Sequence, residues 1–208
     1  MRKGIMVIAA LLLSACSSGN EEPRYYQLPN NQLPNNQLPN NQQLNAQLSQ
    51  SAASPSMLAA SQGQRQLWIE QVSVPDYLAG NGVVYQTSDV QYVIANNNLW
   101  ASPLDQQLRT SLVANLSRNL PGWVVASQPM GSDQDTLNVT VTGFHGRYDG
   151  HVIVSGEWLL NHQGTLIKRP FHVEMTQPQD GYDAMVKVLG EAWAQEASNM
   201  AREINRLP

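Results

Sequence analysis

Forty consecutive residues, 27–66, contain no Val, Ile, Thr, Phe, Tyr or Trp. Such a stretch cannot bury enough apolar surface to offset the entropy of ordering its backbone. It opens on three copies of a five-residue unit, Gln27-Leu28-Pro29-Asn30-Asn31 and its repeats from Gln32 and Gln37. A period of five matches neither a helix face nor a strand face, and regular Pro and Asn favour turns or extended chain. Residues 29–66 are therefore expected to be disordered or loosely extended; a binding role for the repeats is the alternative. The core must come from 67–208, with one short addition: Arg24-Tyr25-Tyr26-Gln27-Leu28, whose paired aromatics read as a strand.

From Leu67 the pattern changes. Residues 67–74 (LWIEQVSV) read as a strand ending at Pro75, and 83–87 with 90–95 as a hairpin turning at Ser88-Asp89. Asn96-Asn97-Asn98 is expected to break that strand. Ser102-Pro103-Leu104-Asp105 predicts a helix start with Ser102 as N-cap, and Leu104, Leu108, Leu112 and Leu116 then recur every four residues up to the stop at Pro121-Gly122. Residues 123–126 form a further strand. Leu137, Val139 and Val141, then 152–160, then Ile167, Phe171, Val173 and Met175 make three alternating runs separated by Asp149-Gly150 and Gln163-Gly164, an antiparallel meander. Met185, Leu189, Ala192, Trp193, Met200 and Ile204 give a last helix its inward stripe. The expected fold is α+β: a mixed, mostly antiparallel sheet with two amphipathic helices packed on one face.

The N-terminus reads as an address. Arg2 and Lys3 precede an apolar stretch too short to span a bilayer, and Leu13-Ser14-Ala15-Cys16 resembles a bacterial lipobox. Residues 1–15 are then a signal peptide cleaved between Ala15 and Cys16, and Cys16 is the lipid attachment site. Its covalent diacylglycerol and N-terminal acyl groups anchor the chain stably, and no other cofactor is expected. An ordinary secretory signal with a chance cysteine is the competing reading; it leaves an unpaired thiol in an oxidising compartment. Ser17, rather than Asp, after the cysteine points to the outer membrane, periplasmic face. Residues 16–23 form a short tether of about 15 Å r.m.s. span, and 24–208 a single domain carrying the insert.

The function classes that remain are few. Sixteen acidic against 12 basic residues leave no basic stripe for nucleic acid, and one cysteine excludes a disulfide within the chain or a multi-thiolate zinc site. No Gly-x-Ser-x-Gly elbow or phosphate-binding glycine loop occurs. His145, His151, His162 and His172 lack helical zinc spacing and read as strand or turn surface residues. Asp133-Gln134-Asp135 lacks the glycine and distal glutamate of a calcium loop. His145, Arg147, Tyr148 and Asp149 form a polar hairpin end that reads as solvated rather than hydrolytic. No metal site and no enzyme activity are expected.

Tyr25-Tyr26 soon after a lipobox, Val74-Pro75-Asp76-Tyr77-Leu78 closing a strand, and Leu99-Trp100-Ala101-Ser102-Pro103-Leu104 opening a helix together resemble the ABC-type transport auxiliary lipoproteins. The resemblance covers residues 24–28 and 67–206; the Asn/Gln-rich insert departs from the family pattern. It implies a non-enzymatic subunit that works with an MCE-domain periplasmic protein forming a lipid conduit, and indirectly with a polytopic inner-membrane protein. The role implied is docking of that conduit at the outer membrane in support of envelope integrity, with several copies of the chain matching a symmetric partner. A structural or assembly lipoprotein of another envelope complex is the alternative. Tyr77, Leu78 and Trp100 are the candidate partner or oligomer contacts, because aromatic residues dominate interface hot spots; burial in the core is the other role open to Trp100.

Overall fold

The structure is a computed structural model that describes residues 22–29 and 64–208. Eight strands and three helices follow in order: β1 (Arg24–Tyr26), β2 (Arg65–Ser73), α1 (Asp76–Ala79), β3 (Gly82–Ser88), β4 (Gln91–Trp100), α2 (Leu104–Asn119), β5 (Trp123–Ala126), β6 (Asp135–Arg147), β7 (His151–His162), β8 (Thr165–Thr176) and α3 (Tyr182–Ile204). The α+β class expected from the sequence is what forms: one mixed eight-stranded sheet, with α1 added to the two long helices.

The centre of the sheet is β6. On one side it carries the meander, pairing with β7 from Thr136 to Gly146, while β7 pairs in turn with β8 over its whole length. Its other edge is divided. The first half pairs in parallel with β2 as far as Thr140, and the last two residues, Gly146 and Arg147, pair in parallel with Tyr85 and Gln86 of β3. Strand β5 lies outside β2, while β4 and then β1 lie outside β3. The parallel pairings are short, and the long ladders are antiparallel.

Alternation along the strands aims Leu67, Ile69, Leu137, Val139, Val141, Val154 and Leu160 at one face, where all are buried. Leu104, Leu108, Leu112 and Leu116 of α2 and Leu189, Trp193, Met200 and Ile204 of α3 complete that core. The Trp193 indole N–H donates to the Leu108 carbonyl at 3.1 Å, tying the two helices together. Arg109 reaches from α2 to the Ile69 carbonyl (2.8 Å) beside the bulge in β2, and also to the Ser127 carbonyl. The free edge of β8 carries Lys168, Arg169 and Pro170 in its middle, which discourages strand addition there.

Four local expectations are corrected. Strand β2 begins at Arg65, within the stretch expected to be disordered, because Arg65 and Gln66 find partners in Trp123 and Val124 and the Arg65 guanidinium lies 5.1 Å over the Trp123 ring. Pro29 also lies against the body, since a Cβ on Gly190 would come within 2.6 Å of its ring. The remainder of that stretch, 30–63, lies outside the described residues, as do Ala15 and Cys16. Asn96-Asn97-Asn98 does not end β4, because β1 arrives from 74 residues earlier in the chain to pair with Asn98, Leu99 and Trp100. Pro103, not Ser102, holds the N-cap position of α2, and the Ser102 carbonyl instead accepts from the Gln107 side chain at 2.8 Å.

The same Gln107 fixes the first segment of the chain. Its Oε1 accepts from the Leu28 backbone at 2.9 Å, Leu28 is buried, and the Tyr26 carbonyl accepts from Ala101 at 2.8 Å. The Tyr26 hydroxyl bridges Asn98 (3.1 Å) and Asp183 at the start of α3 (2.9 Å). Residues 24–28 are thus part of the folded body, not of a tether.

Candidate functional site

The divided edge of β6 creates a local problem. Between the end of β2 pairing at Thr140 and the start of β3 pairing at Gly146, that edge has no strand partner among the described residues. The turn at α1 supplies one. The Pro75 carbonyl accepts from Leu78 and Ala79 (2.9 and 3.1 Å), and this closed turn directs the Tyr77 hydroxyl onto the Thr142 carbonyl at 2.8 Å. Val-Pro at the end of β2 permits this, because proline cannot continue the ladder. Burial, helped by the neighbouring Tyr92, pushes the Tyr77 phenol up to about 12, so it stays a neutral donor.

The three residues named as candidate contacts therefore have unlike placements. Leu78 (1% exposed) and Trp100 (4%) are core side chains, which corrects their assignment as contact residues. The Trp100 ring lies 6.2 Å from Phe144, and its backbone N–H donates to the Asn81 carbonyl at 2.6 Å. Of the three, only Tyr77 reaches the surface; it is half-buried and its hydroxyl is already engaged. Its ring lies 5.2 Å from Tyr92, which meets the His145 ring edge-on at 5.1 Å.

His145 is not a surface residue. It is 4% exposed, and Nδ1 lies 3.1 Å from the Gly146 carbonyl, which can only accept, so Nδ1 holds the proton of the neutral ring. Burial above all, with the Arg147 charge adding, holds its pKa below the ordinary imidazole value, against the opposing Gly146 bond. The unfolded chain then binds a proton first as pH falls, so this group's contribution to stability declines below roughly pH 6.5 and levels off under the folded pKa. Replacing His145 by Gln should flatten that decline, measured as the difference in melting temperature between variant and wild type from pH 8 to 5. Buried Glu196, whose pKa is raised by desolvation, acts in the opposite sense, so the comparison is made pairwise at each pH. His162 is also buried, with Nδ1 2.7 Å from Asp135 and Nε2 3.1 Å from the Pro208 carbonyl, so the expected surface placement fails for two of the four histidines.

The polar hairpin end is an ion clamp without His145. Arg147 bonds both Asp149 (2.7 Å) and Glu174 (2.6 Å), and this pairing holds both carboxyls below their usual range. Ligand atoms of Asp149, His151 and Glu174 lie within 4.8 Å of one another, a spacing that could hold a cation. The Arg147 guanidinium already pairs with both carboxylates there and offsets one of their two charges. Beside it, a groove of about 750 Å³ is lined by the opposed charges of Arg24, Lys187, Asp183 and Glu191. Neither arrangement brings together a nucleophile, a base and an oxyanion donor.

One mixed eight-stranded sheet with two long helices packed on it defines the class of fold. A model of the ABC-type transport auxiliary lipoprotein component family matches residues 47–201, and the chain belongs to that family. It is 66% identical, over all 208 residues and the whole of both chains, to "Intermembrane transport lipoprotein PqiC" of Escherichia coli (strain K12) and to its namesake in Shigella flexneri. A crystal structure of an uncharacterized protein, 83% identical, covers 67% of this chain and 92% of that one with a TM-score of 0.67. A protein from Xanthomonas campestris, 17% identical with a TM-score of 0.55 over 66% of this chain and 81% of its own, shares the fold. The family consists of transport auxiliaries, not enzymes, as the sequence resemblance implied. Among the described residues no helix is long and apolar enough to cross a membrane.

Proposed function

We propose that this chain is an outer-membrane lipoprotein of an intermembrane lipid transport system, anchored through acyl groups on Cys16. The full-length identity of 66% to intermembrane transport lipoproteins carries this reading. It docks the periplasmic conduit formed by an MCE-domain protein of the PqiB type, in complex with a polytopic inner-membrane protein of the PqiA type, and acts in more than one copy, as a symmetric conduit requires. The short leader supports it. Only seven residues separate Cys16 from β1, which is built into the sheet, so the domain is held close to the membrane surface, where a conduit from the opposite membrane would end.

The test is fractionation of full-length protein with and without Cys16→Ser, followed by affinity capture. Wild type should sediment with outer membranes and co-purify with an MCE-domain protein, and the Ser variant should appear in the soluble periplasm. Wild type banding with the inner membrane would overturn the location. Capture of a different envelope complex in place of the MCE-domain protein would replace this reading with that of a structural or assembly lipoprotein.

A further inference from the structure

The turn of the β3–β4 hairpin leaves the body of the domain. Tyr92, Val93 and Ile94 are 44%, 49% and 47% exposed and Val90 85%. Successive strand residues point to opposite faces, so three exposed in a row mean that both faces are open to solvent in part, although one edge of the Tyr92 ring rests on Tyr77 and His145. The segment is also nearly free of charge: between Gly82 and Trp100 the one ionic residue is Asp89, whose carboxylate accepts from the Tyr148 hydroxyl at 2.6 Å. Beyond Asn98 towards the turn, the outer edge of β4 has no strand partner among the described residues.

The direction of β1 says what lies opposite this patch. Because β1 runs parallel to β4 with Arg24 opposite Asn98, chain before Arg24 approaches from the side of Gln91 and the hairpin turn. Eight residue steps separate Arg24 from Cys16, a reach of at most about 28 Å. Eight steps back along β4 from Asn98 end at Val90, about 26 Å away. The chain thus enters β1 from the side of the hairpin turn, and the length of chain from Cys16 to Arg24 is enough to reach from that turn.

We infer that the β3–β4 hairpin turn, through Val90, Tyr92, Val93 and Ile94, seats in the phospholipid surface that holds the acyl chains of Cys16. This rests on the lipid-anchor reading above. An uncharged aliphatic strip with Tyr92 and Tyr148 beside it has the composition of a membrane interface contact, apolar groups among the acyl chains and tyrosines at headgroup level. The open backbone edge of β4 limits the depth, since unpaired N–H and C=O groups require the hydrated headgroup layer. The hairpin fixes the orientation of the domain on the membrane, which a single point of attachment at Cys16 does not.

Acylated full-length protein carrying a photoreactive diazirine residue in place of Val93, or of Leu166 at the opposite end of the sheet, would be reconstituted in phosphatidylethanolamine–phosphatidylglycerol vesicles and irradiated. Intact mass spectrometry should find phospholipid adducts with the probe at 93 and their loss with the probe at 166. Vesicle-bound, acylated protein without lipid adducts at 93 would overturn the inference, and so would a covalent dimer through 93, which would make this patch a contact between copies. The mass of the unirradiated protein tests the premise separately: absence of acyl groups on Cys16 would overturn the anchor reading, and this inference with it.

Discussion

Trp193→Ala should cost the domain about 3–5 kcal/mol, a fall in melting temperature of roughly 10 °C or more for a protein of this size. The indole is fully buried between α3 and the sheet, 6.2 Å from the Phe171 ring, and its N–H donates from α3 to α2. Truncation opens a cavity where both helices and the meander meet, and nothing adjacent can collapse into it without moving a helix. Trp193→Phe keeps most of the volume and loses the N–H to Leu108, and should cost about 1 kcal/mol more than its volume change alone. Equilibrium urea unfolding decides it. A Trp193→Ala variant within 1 kcal/mol of wild type would refute this account of the core.

Trp100→Ala separates two roles that the sequence left open. A contact residue on the surface would leave the melting temperature unchanged and weaken partner capture. At 4% exposure, packed on Phe144 at the end of β4 and just ahead of α2, Trp100 should instead lose about 3 kcal/mol on truncation. Trp100→Phe should recover most of that loss, and partner capture should follow the folded fraction. Unchanged stability with lost capture would restore the contact role. The tests at His145, Cys16 and Val93 are independent of both, because they read pH dependence, membrane location and lipid proximity.

Apart from the short helix α1, the elements themselves were legible in the chain because their signals are local. The leucines of α2, the alternating runs of β6 to β8 and the turn residues between them each act within a few positions. The strand order was not legible. Nothing near Gly146 announces that β3, some 60 residues earlier, will pair there in parallel, and no turn signal accompanies such a pairing. Asn96-Asn97-Asn98 was misjudged for the same reason: the partner of that strand comes from β1, across the whole insert. The site suffered in proportion. That Leu78 is core, that the Tyr77 hydroxyl satisfies the Thr142 carbonyl and that Gln107 holds Leu28 all depend on distant partners. The lipobox reading of Leu13-Ser14-Ala15-Cys16 is a reading of a linear string and concerns residues outside the described ones.

The central place of β6 has a consequence for the order in which the domain can assemble. A chain emerges amino end first, and β2 and β3 do not pair with each other; the β2–β5 and β3–β4 pairs are joined only through β6, which begins at Asp135. Until about two thirds of the chain has been delivered, these two pairs have no common sheet to join. Assembly therefore waits for the carboxyl-terminal meander, which closes from neighbouring segments quickly and then recruits the earlier strands over long loops, the slow kind of closure. On this topology the half of the molecule that is made first is completed last, and its unjoined pairs are the part most in need of shelter meanwhile.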